Sequence, residues 1–282
     1  MRTPFISLLL ASVLIACNDA APVDPSQPQA SKDRLQSDVY FLADDLLEGR
    51  EAGTRGYDLA ALYVAERFRS LGLEPGGDDG GYRQPVPMLE YRIGDRALLT
   101  IGEIALVAGE DYLVLPSAKG EMIDVSAPLV FAGLCFASER EQRNDFASVD
   151  VDGKVVACMN GAPKYLNSEE LAHYRRTQVE RLSERGAVGM ISIYTRSREE
   201  VFPFERFAKM LGAGFSRMTW LDAEGVPYSS SANVLATATL SLAGAEKVFT
   251  ALGQEWAEIL DAAESDAGDV SSVDLDINAR IE

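Results

Sequence analysis

Histidine is almost absent from this chain: 282 residues hold a single one, His173. A zinc centre draws on several converging nitrogen, sulfur or oxygen donors. Around His173 there is no His-x-Asp pair and no glutamate-based ligand cluster. The nearby Glu169-Glu170 reads as a dipole partner in a first helical turn. The sequence therefore offers no candidate metal ligand and no candidate catalytic residue. Positive charge is also scarce, with 26 Lys and Arg against 44 Asp and Glu and a net of −18. Such a surface repels phosphate backbones and excludes nucleic acid as a partner. No Gly-x-Ser-x-Gly elbow occurs, since Gly214-Phe215-Ser216-Arg217-Met218 breaks the pattern at its last position. No glycine-rich phosphate loop ends in Lys-Ser or Lys-Thr.

Long apolar runs are lacking too. The one uncharged apolar stretch, Phe5 to Ile15, follows Arg2 and is too short for a permanent membrane span but suited to a signal-peptide core. It ends in Leu14-Ile15-Ala16-Cys17, which resembles the lipobox of bacterial lipoproteins. The expectation is a lipoprotein signal over 1–17, cut on export ahead of Cys17, which carries the lipid. That chain chemistry anchors the protein to the periplasmic side of a bacterial membrane or to the cell surface. Residues 18–33, with Pro22, Pro25 and Pro28, read as a solvated tether.

Cysteine is sparse: besides Cys17 there are Cys135 and Cys158, both in apolar, strand-like surroundings. In an oxidising compartment an even remainder can form a disulfide. Two separately buried thiols fit the same residues equally well.

Periodicity supplies the elements. Leu35, Val39, Leu42 and Leu46 form one apolar stripe, predicting a helix over 34–47 capped by Ser31 or Asp33. Thr54 caps a second helix, which Gly72 stops. Short strands are expected within 82–91, 97–101 and 112–115. From about residue 122 the pattern becomes strand and helix in alternation. Apolar strands lie at 127–133, 154–159 and 187–194, and a helix over 169–185 is capped by Ser168 and stopped by Gly186. A strand, a long crossover helix and a strand imply parallel pairing. Helices follow from Ser241 and over 254–263. Val273, Leu275, Ile277, Ala279 and Ile281 alternate with polar residues in a closing strand.

Two blocks of sequence together resemble the M28 family of zinc aminopeptidases that carry a protease-associated (PA) domain. The first runs from Leu42-Ala43-Asp44-Asp45-Leu46-Leu47-Glu48-Gly49-Arg50 through Gly72-Leu73 to Gly81-Tyr82-Arg83-Gln84-Pro85. The second comprises Pro128 to Gly133, Asp150 to Val156 and Gly186 to Ile191. The resemblance implies an α/β chain in two parts. Residues 34–110 would be the opening helices of an α/β peptidase domain whose main part is missing, and residues 111–282 a β-rich α/β PA-like module. It also implies that two zinc ions belong to the full-length parent, held by residues beyond this chain, so that the chain itself carries no cofactor and is inactive alone. The parent would cut N-terminal residues from peptide substrates. The rival expectation is a non-enzymatic lipoprotein using a PA-like module to bind peptides or proteins.

Overall fold

The structure, a computed structural model, describes residues 31–120 and 122–282. The leader, most of the tether and Cys17 lie outside the described residues. The chain divides into two compact units, one ending at Pro85 and the other spanning Val86–Glu282. The sequence placed the boundary later, at 110/111. Residues 86–110 instead supply strands that pair with others far along the second unit, so they belong to it.

The first unit is helical. α1 spans Lys32–Leu42, a 3-10 segment Asp45–Arg50, and α2 Arg55–Ser70. The expected helix to residue 47 stops at Leu42 because Asp44 turns to an extended conformation (φ −68°, ψ 137°) and its side chain caps a separate 3-10 turn by accepting the Leu46 N–H. Thr54 caps α2 by accepting the Tyr57 N–H, as its position predicted. Asp38 ties the two helices together: it accepts from Tyr63 Oη at 2.6 Å and Arg67 Nε at 3.0 Å. Both donors favour the ionised form, so its carboxyl lies below the ordinary carboxylate value. Phe41 stacks on Tyr63 at 4.2 Å. Even so, α1 buries no residue.

The second unit is built on a seven-stranded sheet. Its members are β2 (Leu99–Ile101), β3 (Tyr112–Val114), β4 (Val125–Phe131), β7 (Val155–Met159), β8 (Gly189–Ile193), β10 (Ala236–Leu240) and β11 (Val273–Ile281). In space they run β2-β11-β4-β7-β8-β10-β3. The four central strands β4, β7, β8 and β10 are mutually parallel, and β11, β2 and β3 pair antiparallel at the flanks. The sheet curls enough to bring its edge strands β2 and β3 near each other. Outside it lie two small ribbons: β1 (Met88–Arg92) with β9 (Ser216–Trp220), and β5 (Ala137–Ser138) with β6 (Arg143–Asn144).

Both faces of the central strands are apolar, which is why their sequences read as unbroken hydrophobic runs. On one face Leu129, Phe131, Val155, Ala157, Met159, Ile191 and Ile193 meet helices α6 (Leu242–Ala251) and α7 (Trp256–Glu264). Phe249 of α6 packs edge-on against Phe131 at 5.1 Å and stacks on Trp256 at 5.4 Å. The alternate residues Val130, Val156, Cys158 and Met190 face Leu182 of α3 (Ser168–Glu184). α3 is the crossover from β7 to β8, and the parallel pairing follows from it. Its cap is Asn167, one residue before the expected Ser168. Asn167 and Glu170 complete a reciprocal capping box. Two short helices, α4 (Arg196–Val201) and α5 (Phe204–Gly212), follow β8 and bury Phe204 and Leu211 against Tyr194.

Candidate functional site

The connection from β4 to β7 is where this unit departs from regular structure. Just past β4, Gly133 and Cys135 both adopt positive φ (55° and 56°), so the chain doubles back instead of continuing the strand. Cys135 is disulfide-bonded to Cys158 of β7, with Cα atoms 5.5 Å apart. The turn is fixed a second time by the buried carboxylate of Asp145. It accepts the backbone N–H groups of Leu134 at 3.1 Å and Phe136 at 3.0 Å, and Arg143 Nε at 2.7 Å. Arg143 in turn donates to the carbonyls of Gly268, at 2.7 Å, and Ala267. Burial works against the charge of Arg143, but Asp145 outweighs it and holds the guanidinium above the ordinary arginine value.

Between Asp145 and this turn projects the β5–β6 hairpin, with an open depression on each side. One, about 380 Å³, is lined by Ala137, Ser138, Gln142, Arg143, Asn144 and Arg185 among others. The second, about 340 Å³, lies between the hairpin and α3. Its apolar floor is Phe136, Leu166 and Tyr174; Arg140, Glu170 and Arg181 are at its rim. Tyr174 is buried and donates its hydroxyl to the Leu134 carbonyl, which also accepts from Gln178 Nε2 at 3.2 Å. Burial pushes this hydroxyl well above the usual tyrosine value, a shift that the nearby Arg181 only partly offsets.

Around the hairpin and α3 three arginines lie over aromatic rings: Arg143 over Phe136 at 5.6 Å, Arg181 over Tyr174 at 4.8 Å and Arg185 over Phe146 at 4.6 Å. Arg181 donates to the Tyr174 carbonyl at 3.1 Å and to the Thr177 hydroxyl, and its buried Nε has no hydrogen-bond partner among the described residues. Burial lowers its pKa. A desolvated guanidinium backed by a ring and served by neutral acceptors retains capacity to bind an acceptor from a ligand. Arg140 is committed differently, paired at 2.6 Å to both Glu141 and Glu170. These pairs hold its pKa above, and that of Glu170 below, their ordinary values.

His173 stands exposed on α3 and lines the same groove. The carboxylate beside it, Glu170, is engaged by Arg140 and by the Asn167 N–H at 3.0 Å. Among the described residues no group of three or more His, Cys, Asp and Glu could hold a metal ion. These residues do not fit a zinc pair. The arrangement offers an apolar surface flanked by charged and hydrogen-bonding side chains.

Of the residues singled out in the sequence, Cys135 and Cys158 are joined, and Cys135 directly precedes Phe136 of the groove. Cys17 lies outside the described residues. The groove itself was not anticipated. Arg181 in the last turn of α3 and Arg185 at its C-cap sit where a basic residue complements the helix dipole, and the hairpin carries no alternating pattern. No family model matches the chain, and no curated protein matches it.

Proposed function

We propose that residues 86–282 form a PA-like recognition module of a lipid-anchored M28-like zinc aminopeptidase, and that the groove between the β5–β6 hairpin and α3 receives peptide. The observation that carries this reading is the groove's construction. A trough of Phe136, Leu166 and Tyr174 is fixed by a disulfide and a buried carboxylate, and is lined by a desolvated arginine. The order of the two sequence blocks supports the family assignment. The zinc ions and the hydrolysis belong, in this reading, to the full-length parent. Lipid on Cys17 and an exported location belong to the same proposal.

The test pairs two measurements on the purified chain. An aminoacyl-anilide assay with added zinc is expected to give no chelator-sensitive turnover. Titration of the isotope-labelled chain with short unblocked peptides is expected to move amide signals of 134–146 and 170–185. Chelator-sensitive turnover would defeat the view that the metal site lies elsewhere. Peptide shifts confined to other surfaces would defeat the groove. The second reading, a binding lipoprotein with no peptidase partner, keeps the groove. It is favoured if the gene ends at codon 282.

A further inference from the structure

The ribbon of β1 and β9 carries a strand edge that pairs with no other strand among the described residues of the second unit. The Leu221 N–H donates to the Pro87 carbonyl at 2.8 Å. This fixes the antiparallel ladder, with Met88 opposite Trp220, Glu90 opposite Met218 and Arg92 opposite Ser216. In such a ladder successive residues turn their backbone groups alternately toward and away from the partner strand. Pro87, Leu89 and Tyr91 therefore face β9, while Met88, Glu90 and Arg92 turn their N–H and C=O groups outward. Among the described residues those outward groups have no hydrogen-bond partner outside the ladder. The far edge of β9 is different: the Trp220 carbonyl accepts from the Tyr228 N–H at 2.9 Å, and Trp220 stacks on Tyr228 at 4.4 Å.

An open edge is a template for another strand, and the residues on this one discriminate between registers. We propose that β1 pairs antiparallel with β1 of a second copy, centred on Tyr91, giving a four-stranded ribbon β9-β1-β1-β9. In that register Glu90 faces Arg92 of the second copy and Arg92 faces its Glu90. The outward-facing residues meet each other, as the hydrogen-bond pattern demands. Centring on Glu90 sets like carboxylates against each other. Centring on Leu89 pairs Glu90 with Met88 and leaves both charged pairs unmade. Only the Tyr91 register is complementary in backbone and in charge. Met88, Met218 and Trp220, each more than 40% exposed, share the face on which the Glu90–Arg92 pairs form. In this register only residues 90–92 of the two β1 strands overlap, a small contact, and each copy carries a net charge of −18. The dimer is therefore weak and concentration-dependent.

Sedimentation equilibrium of the purified chain reads this directly. The wild-type chain is expected to show a monomer–dimer equilibrium. Arg92→Glu or Glu90→Arg alone sets like charges opposite each other twice per dimer and should lower the association constant at least about tenfold. The double variant E90R/R92E restores opposite charges in the same register and should recover most of it. Recovery separates edge pairing from misfolding, since a damaged fold is not repaired by a second charge reversal. Oxidation of a Tyr91→Cys chain should cross-link two copies through residue 91 faster than a Leu89→Cys chain through residue 89. A monomer at every accessible concentration overturns the proposal. So does a dimer indifferent to the single reversals. Amide shifts at 88–92 caused by a peptide added to a monomeric chain would also overturn it, assigning the edge to a peptide strand instead.

Discussion

Lys247 places its ammonium 2.6 Å from the carboxylate of Asp111, 136 residues earlier in the chain. Asp111 is almost wholly buried and also accepts the Val107 N–H at 2.8 Å, closing the turn that leads into β3. Directly beside it, Gly244 of α6 lies so close to the Asp111 carbonyl that an added Cβ would overlap it. One carboxylate thus sets how α6 meets the edge of the sheet.

Replacing Asp111 with alanine leaves a buried N–H without its acceptor and frees a half-exposed lysine that water can resolvate. The expected cost is about 2 to 3 kcal/mol in urea unfolding. Asp111→Asn adds a pH signature. Burial pulls this carboxyl upward, but the hydrogen bonds from Lys247 and Val107 and the lysine charge outweigh it, so the folded pKa lies below the ordinary 3.8. A depressed folded pKa contributes stability that is fully present above the unfolded value and disappears as pH falls through the folded one. The gap in unfolding free energy between wild type and Asp111→Asn should hold steady above about pH 5 and shrink below 3.8. A gap unchanged down to pH 2 would show that the charge of Asp111 does not contribute.

Asp145 predicts a local effect with a distinct readout. Its alanine variant removes the acceptor for two backbone amides and leaves the largely buried guanidinium of Arg143 without its carboxylate, at about 3 kcal/mol or more. Hydrogen exchange at Leu134 and Phe136 should accelerate more than exchange in β8. Uniform acceleration would mean that Asp145 supports the whole unit and not the turn under the groove.

The Cys135–Cys158 bond spans 23 positions of sequence. Closing a loop of that size stabilises a fold by about 3 kcal/mol through the unfolded chain's lost freedom. Reduction, or paired replacement by serine, should lower the urea midpoint accordingly and raise the dependence on urea as the unfolded chain expands. An unmoved midpoint after complete reduction would show that the two thiols merely pack side by side.

The parts of this fold that could be read from sequence are those whose rules are local. The strands at 127–133, 154–159 and 187–194 were visible because burial on both faces leaves no polar position, and the helix between the last two because Gly186 takes φ +82° where it stops. The period of two in β11 also survived, although Asp276 takes φ +49° and the register shifts between Asp274 and Asn278. Pairing at a distance left no such trace. Nothing near Met88 announces Trp220, and nothing in β11 says that it lies between β2 and β4. The groove was hidden for the same reason. Glu139-Arg140-Glu141-Gln142 carries charge without period, and only the fold brings that turn over Tyr174 of α3. The mistaken cap at Ser168 is a smaller case, since Asn167 and Ser168 are both capping types and the position of Glu170 decides between them.

In the first unit, Gly56 offers a clean test of what the helices rest on. It begins α2, and a Cβ there would overlap the carbonyl of Leu47, the one buried residue of the 3-10 turn. That neighbour is backbone and cannot rotate away, so Gly56→Ala must push α2 off the turn, at about 2 kcal/mol or more. Gly72 is the contrast. It needs φ +71° at the end of α2, yet nothing lies within 4 Å of where its Cβ would sit. Gly72→Ala therefore carries only the backbone penalty, about 1 kcal/mol. Because α1 buries no side chain of its own, its amides should report the difference. Exchange in 32–42 should quicken strongly in Gly56→Ala and modestly in Gly72→Ala, with β7 and β8 unchanged in both. Equal quickening in the two variants would mean that α1 depends on the C-terminal end of α2 as much as on the Leu47 contact.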